Sequence, residues 1–554
     1  MSQSRGKTTT NESFLTATST HWVTLVRLAL IVLPCFASFA SFSEWLYNPF
    51  FLSVLIRPHQ CLSQLEEAHA IRTLASNASS TRTFSSYYVA NDSIRIPPLA
   101  IAFFSPFLET TSNPELWLAL FLLAVDFSIA YLLEQVGTRL LGLLSSCESP
   151  ASGDDDDNDD NNNNDDNNNN NNNKRFNQSE RPITEEELQQ KLPDSIRPPF
   201  SNIFPIYRHN KSSSEGTVAK QDSSCLSKPE QTPLIPMTSL PLLAAQLYYW
   251  SPFTALPACL YSCWQNVPTL FLVASIYESV RYSSSDGSLS MSSFYLAAAA
   301  YLEPHHIVYA LPIVLVLLSV VGTGFTGQQQ QPGLGLTNVR PIAFFVLCFG
   351  VWSVLLQGVS CSLVGPSNYW KVAGSIYGNT WLTTSPNLSL QWYFRMQVFA
   401  RFRDYFGAIF ALVPYVLMGP IGLRFQRYPE VQFAMWTMVW TIYRPVQVLF
   451  DMNVALCFFL FSPRSLARMG YASVIALCCI PVPLFLNIVD HWMWLDANNG
   501  NANYIFFQCL AHNVFLGIIL GQFASASMKR DKALRLTYQK EVSEETKETK
   551  KGSN

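Results

Sequence analysis

The chain has 554 residues, 49% hydrophobic and 14% charged, with 38 Phe, 23 Tyr, 13 Trp and a formal net charge of −3. Soluble domains carry about 25% charged residues, and this chain instead holds many apolar stretches near the roughly 17–25 residues that cross a bilayer core. That balance specifies an all-α, polytopic membrane protein. Nucleic-acid binding is excluded by the lack of any basic stripe outside the termini.

A polar leader, 1–21, carries Arg5 and Lys7 and precedes an apolar stretch at 22–42, interrupted only by Arg27. This pattern predicts a signal anchor with a cytosolic N-terminus rather than a cleaved signal peptide. Residues 44–93 are mixed and polar, with glycosylation sequons at Asn77 and Asn91, and read as a lumenal loop. Residues 95–108 are apolar but short and broken by Pro97, Pro98 and Pro106, so they are expected to dip into the membrane rather than span it. A full span follows at 115–133 with Asp126 in its middle. An acid inside a span costs several kcal/mol unless paired. Asp126 should therefore face protein or water, and a structural hydrogen bond explains it most simply. Together these segments form a first membrane part, 22–145.

Residues 146–235 break the pattern, and 154–173 are only Asp and Asn. Such a composition cannot bury enough apolar surface to form a core, so a disordered cytosolic insert is expected. The main membrane domain, 236–527, holds ten further apolar segments: 238–260, 266–282, 291–302, 306–323, 340–364, 399–421, 430–443, 446–462, 470–489 and 503–526. Arg424, Arg427, Arg464, Arg468 and the charged tail 528–554 mark the cytosolic side. Alternation then places 303–305, 367–391 and 490–502 in the lumen, with about twelve transmembrane helices and both termini cytosolic. The lumenal stretch 366–393 is aromatic, with Trp370, Tyr377, Trp381, Trp392 and Tyr393. It reads either as an interface belt or as a platform for carbohydrate or a partner.

Catalytic signals are sparse. The twelve cysteines are scattered, mostly within apolar segments, and behave as small apolar residues. A lumen-facing mannosyltransferase, using a dolichol-phosphate-linked donor, would need a carboxylate in a lumenal loop. The first loop offers Glu44, Glu66, Glu67 and Asp92 with no acid-x-acid spacing. The run Glu303-Pro-His305-His306 lacks a further ligand nearby in sequence and reads as a turn between helices, so neither metal nor cofactor is expected. A transporter would require paired charges within spans, for which Asp126, Arg444 and Asp451 are the candidates. These two readings, the mannosyltransferase and the transporter, rank as the alternatives.

The most informative stretch is 490–530. A turn rich in amides, Asn498, Asn499, Asn501 and Asn503, stands directly before an apolar segment. Amides donate and accept hydrogen bonds without charge, which suits a sugar or a phosphate-bearing headgroup. The simpler explanation is a helix cap, worth about 1 kcal/mol, but one asparagine suffices for that.

His491, Trp494, Gly500, Asn501, Asn503 and Asn513 resemble the C-terminal signature of the PIG-U family, subunit U of the glycosylphosphatidylinositol (GPI) transamidase. Two more stretches are similar to the family: 386–402, with its Pro-Asn and Trp-Tyr-Phe, and 248–262, where Ser251 stands in place of an asparagine. Asp126 and Asp451 fall where similar proteins carry membrane acids, as possible intramembrane polar residues. The resemblance implies a fold similar to that of lumen-facing multispan (GT-C-like) mannosyltransferases. It further implies a non-catalytic subunit of an endoplasmic-reticulum complex that attaches GPI to the C-terminus of precursor proteins. The Cys-His chemistry would belong to a protease-like subunit K. The other partners would be subunits S and T, the GPI-attachment protein and the GPI glycolipid. Asn501, Asn503, His491 and Trp494 are the expected lipid-binding residues.

Overall fold

A computed structural model describes residues 13–15, 17–32, 97–110, 114–148, 200, 237–261, 264–282, 286–323, 339–374, 386–426 and 428–552. The loop 44–93, expected from sequence to be lumenal, with Glu44, Glu66, Glu67 and both sequons, lies outside the described residues, as does nearly all of the insert 146–235.

The described chain is helical, and no strand occurs among the described residues. In chain order the helices are α1 (Thr18–Val32), α2 (Pro98–Thr110), α3 (Pro114–Glu148), α4 (Leu240–Trp250), α5 (Pro252–Tyr261), α6 (Asn266–Arg281), α7 (Asp286–Leu302), α8 (Ala310–Thr323) and α9 (Val339–Val364). There follow α10 (Pro366–Ala373), α11 (Gln391–Gln397), α12 (Ala400–Arg424), α13 (Pro429–Tyr443), α14 (Leu449–Phe459), α15 (Pro463–Leu466), α16 (Tyr471–Cys479), α17 (Pro481–His491) and α18 (Ala502–Gly552). Seven of these begin on a proline. That is the helical position where the missing N–H breaks no bond and the fixed φ is already helical. The prolines thus set where apolar segments start rather than merely interrupting them.

Among the described residues five helices are long and apolar enough to cross a membrane: Leu116–Leu141, Arg340–Val364, Ala400–Arg424, Tyr471–Trp494 and Ala502–Ala533. The protein is an all-α, multi-pass membrane protein. Two expectations shift. The span at 115–133 belongs to a helix of 35 residues, because apolar positions continue through 144 with no proline after the first. The segments at 430–443 and 446–462 form α13 and α14, of 15 and 11 residues. At 1.5 Å per residue they reach only about 22 and 16 Å, against a hydrocarbon core of about 30 Å.

Both short helices are buried nearly all round. Helix α13 packs against α8, α12, α14 and α18, and its Phe433 stacks on Phe458 of α14. They belong to the main buried core, to which the long helix α3 also contributes Leu122, Ile129 and Val136. Helix α9 and the first half of α12 expose large apolar side chains such as Val354, Leu355, Tyr405 and Leu412. Exposed apolar surfaces of this kind mark contact with a membrane or with another protein.

Buried charges pair at three centres. Asp126 is fully buried and accepts from Arg27 Nη1 at 2.6 Å, Tyr248 at 2.9 Å and Asn266 at 3.0 Å. Arg27 also donates to the Tyr249 carbonyl at 2.6 Å and stacks on that tyrosine ring. Ser251, the substituted position, accepts from the Phe253 N–H and so caps the start of α5. At a second centre Arg444 bridges Glu303 at 2.8 Å and Asp451 at 2.7 Å, and Gln265 donates to Asp451 at 2.7 Å. A third set closes one end of the bundle. There Arg424 pairs with Asp531 at 2.8 Å and Arg530 with Glu430 at 2.9 Å. Arg424 and the 528–554 tail, assigned to one side of the membrane from sequence, are thus in direct contact.

Candidate functional site

The asparagine-rich turn is built by three backbone devices. Helix α17 widens into a π-helical turn, Trp492–Asp496. Asn498 then takes a left-handed conformation, φ 54°, which asparagine tolerates better than most residues and which commonly ends a helix. The Asn499 N–H returns to the Met493 carbonyl at 2.9 Å. Finally Gly500 passes against the preceding turn so closely that a Cβ there would lie 2.8 Å from the Trp494 backbone nitrogen. The chain reverses within a few residues and delivers Asn501 to the start of α18.

Asn501 is the cap of α18: its Oδ1 accepts the Asn503 N–H at 3.1 Å. Asn503 is held differently, with its Oδ1 accepting from the Tyr393 hydroxyl at 2.5 Å. Both carboxamides are therefore anchored through oxygen, and both residues are exposed. For Asn501 that orientation is fixed, since a backbone N–H can only donate. Each –NH2 is left as a donor pair on the surface.

The second stretch singled out by sequence supplies the wall of this site. Residues 386–391 are tied to α18, where Asn513 donates to the Leu388 carbonyl at 3.0 Å and Cys509 Sγ to the Asn387 carbonyl at 3.1 Å. Gln391 donates to the Tyr443 carbonyl at 2.7 Å, fixing the same segment to α13. Trp392 is fully buried with Ile505 and Cys509. Tyr393 stacks on Phe506 with ring centroids 4.1 Å apart, and Trp494 lies 6.5 Å from Trp392. The result is an aromatic shelf whose rim carries two amide donors. Sequence reading separated these stretches by about 110 residues, and the structure brings them together.

The four expected lipid-binding residues do not stand alike. Asn501 and Asn503 are exposed, and Trp494 is half-buried in the shelf. His491 is fully buried, with Nδ1 on the Asn487 carbonyl at 2.8 Å, and faces no open surface. It supports the turn from inside the bundle. Asp126 and Asp451 belong to the two buried ionic centres, away from this shelf's hydrogen bonds. The structure also gives Tyr393, one of the aromatic residues singled out at 366–393, its place as the partner of Asn503, and adds Gln391 as a brace that sequence passed over.

Glu303, His305 and His306 can bring one ligand atom each within 4.8 Å of one another. Glu303 is engaged by Arg444, His306 Nδ1 lies 3.2 Å from the Glu303 carbonyl, and the His305 ring stacks on Trp440 at 4.2 Å. These contacts suit a packed turn, with a guanidinium already where a cation's charge would be needed.

Comparison with known proteins identifies the family. The family described as "GPI transamidase subunit PIG-U" matches residues 26–512. The chain is 24% identical over 280 residues to the GPI transamidase component GAB1 of Saccharomyces cerevisiae, covering 50% of this chain and 66% of that protein. It is 23% identical over 296 residues to the GAB1 homolog of Schizosaccharomyces pombe, covering 53% and 66%. It is 20% identical over 301 residues to the GPI-anchor transamidase component PIGU of Homo sapiens, covering 53% and 65%. The matched stretches thus span just under two thirds of each relative's length. With the family pattern running from α1 into α18, across the bundle and the shelf, the chain belongs to the PIG-U family.

Proposed function

We propose that this protein is a non-catalytic subunit of a GPI transamidase complex in the endoplasmic-reticulum membrane. Its part is to hold the GPI glycolipid while the anchor is attached to the C-terminus of a precursor protein. The observation that carries this reading is the shelf. Two outward amide donors stand on a rigid aromatic wall, at the head of a long apolar helix. Donors of this kind meet sugar hydroxyls or phosphate oxygens at the depth where lipid chains enter the bilayer, and stacked rings beside them suit a sugar face. The wall is braced from α11, α13 and α18, so the donors are held in place before the lipid arrives, which lowers the entropy lost on binding. Bond-making chemistry belongs to the protease-like subunit K, with subunits S and T and the GPI-attachment protein as further partners. Both termini lie in the cytosol and the shelf faces the lumen.

The test replaces Asn501 and Asn503 separately by Ala and measures complex assembly and GPI attachment independently, with GPI limiting. Asn503→Ala should assemble and attach anchors at least about tenfold more slowly, the value of one or two lost donor bonds. Attachment at the wild-type rate by both variants would reduce the pair to structural roles.

A further inference from the structure

Arg395 has no role in the site as described. It lies on α11, two residues after the Tyr393 that holds Asn503. Its side chain is 4% exposed, yet neither Nη1 nor Nη2 has a hydrogen-bond partner. Burial pushes the guanidinium down to about 10, and Asp404, on the next helix, offsets this only in part. The group is still charged at neutral pH. An uncompensated buried charge costs several kcal/mol, and proteins retain one where something else neutralises it.

The setting of Arg395 identifies that something. Nη2 rests against α12 at Gly407, where a Cβ would come within 2.8 Å of it. The buried stripe of α12 is Gly407, Pro414, Met418 and Gly422, while Phe402, Tyr405 and Leu412 point outward. The guanidinium is thus wedged between α11 and the buried stripe of α12, whose opposite face is apolar and exposed. Gly407 is seven residues into α12, about 10 Å along its axis. The helix has 25 residues and reaches about 37 Å against a hydrocarbon core of about 30 Å. The charge sits within about one turn of the level where headgroups meet acyl chains. An anion reaching that depth from the bilayer side is a lipid phosphate.

We propose that Arg395 binds the phosphodiester of a membrane lipid, which enters between α11 and the start of α12. The inference deepens the reading of the shelf, on which it rests for the lipid's identity: α11 carries both Tyr393, which holds Asn503, and Arg395, which stands two residues on and is turned toward α12. Arginine suits the task because its planar fork matches two phosphate oxygens at once.

The experiment uses the full chain in nanodiscs and follows thermal unfolding. The probes are nanodiscs containing phosphatidylinositol, nanodiscs containing a phosphate-free galactolipid, and galactolipid nanodiscs with added inorganic phosphate. Wild type should unfold at higher temperature with phosphatidylinositol than with galactolipid. Arg395→Gln should lose that shift and be at least as stable as wild type in galactolipid, since the unpaired charge is gone. Arg395→Lys should bind about tenfold or more weakly, keeping the charge without the fork. Gly407→Ala, which crowds Nη2, should weaken binding with the charge unchanged. An equal phosphatidylinositol shift in wild type and Arg395→Gln would overturn the proposal, as would no shift in wild type. Should Arg395→Gln fail to insert, the Lys and Ala variants decide, and undiminished binding in both overturns it. Inorganic phosphate giving the whole shift by itself would uphold the anion site and overturn the lipid as its source. Loss of anchor attachment in the Asn501 and Asn503 variants with no effect of Arg395→Gln on the phosphatidylinositol shift would sink this inference alone. The converse result would sink the shelf alone.

Discussion

The Arg27–Asp126 pair offers a quantitative test of what holds the first helices to the bundle. Arg27→Met removes the guanidinium and leaves a shorter but flexible side chain of comparable volume, so the cavity contribution is small. Asp126, fully buried, would keep only its bonds from Tyr248 and Asn266 and lose its neutralising charge. Stranding one member of a buried pair costs about 3–5 kcal/mol. Asp126→Asn should be damaging for the same reason, because it strands Arg27. The double variant removes both charges and should cost less than the sum of the singles, with a coupling of about 1–3 kcal/mol. The assay heats each detergent-purified variant and maps thiol labelling at Cys457 and Cys509, which are fully buried. Labelling of these thiols should begin at lower temperature in both singles than in the double. The reasoning fails if Arg27→Met lies within about 1 kcal/mol of wild type, or if the two changes simply add.

Gly500→Ala places a Cβ 2.8 Å from the Trp494 backbone nitrogen, a clash no rotamer relieves. It should cost about 1–3 kcal/mol, lower GPI attachment and expose Cys509 to thiol reagents. Arg444 serves two carboxylates, so Arg444→Met should lower the unfolding temperature more than Glu303→Gln or Asp451→Asn. Asn387 is buried, with Oδ1 on the Ser389 N–H at 2.7 Å, so its sequon should carry no glycan on mass-spectrometric mapping, whereas a glycan at Asn77 or Asn91 would mark 44–93 as lumenal. Deleting residues 150–230 should leave membrane insertion and GPI attachment intact, measured by fractionation and anchor labelling, because an Asp/Asn tract has little apolar surface to contribute to a core.

Much of the architecture was legible from local chemistry. Hydropathy and segment length specify an all-helical membrane protein, because a bilayer admits no unpaired backbone. Asn501 before an apolar run foretells a cap, since that depends only on neighbours along the chain, whereas prolines read as interruptions open helices instead. The candidate site was half legible. Its amides announced themselves by position, while His491, alike on paper, proved buried inside the bundle.

What only the tertiary structure decided concerns partners far apart in the chain. Arg27 and Asp126 are 99 residues apart, Arg444 and Glu303 141, and Tyr393 and Asn503 110. In sequence Arg27 interrupts an apolar stretch and Tyr393 is one more aromatic near an interface. Periodicity and propensity report the backbone's local preferences, and a side chain carries no local mark of which distant group will satisfy it. Those assignments are made when the helices pack, by the cost of leaving a charge or donor unpaired away from water. The sequence determined that this chain would live in a membrane as helices, and packing decided which of its polar residues were consumed inside and which, like Asn501 and Asn503, were left facing out.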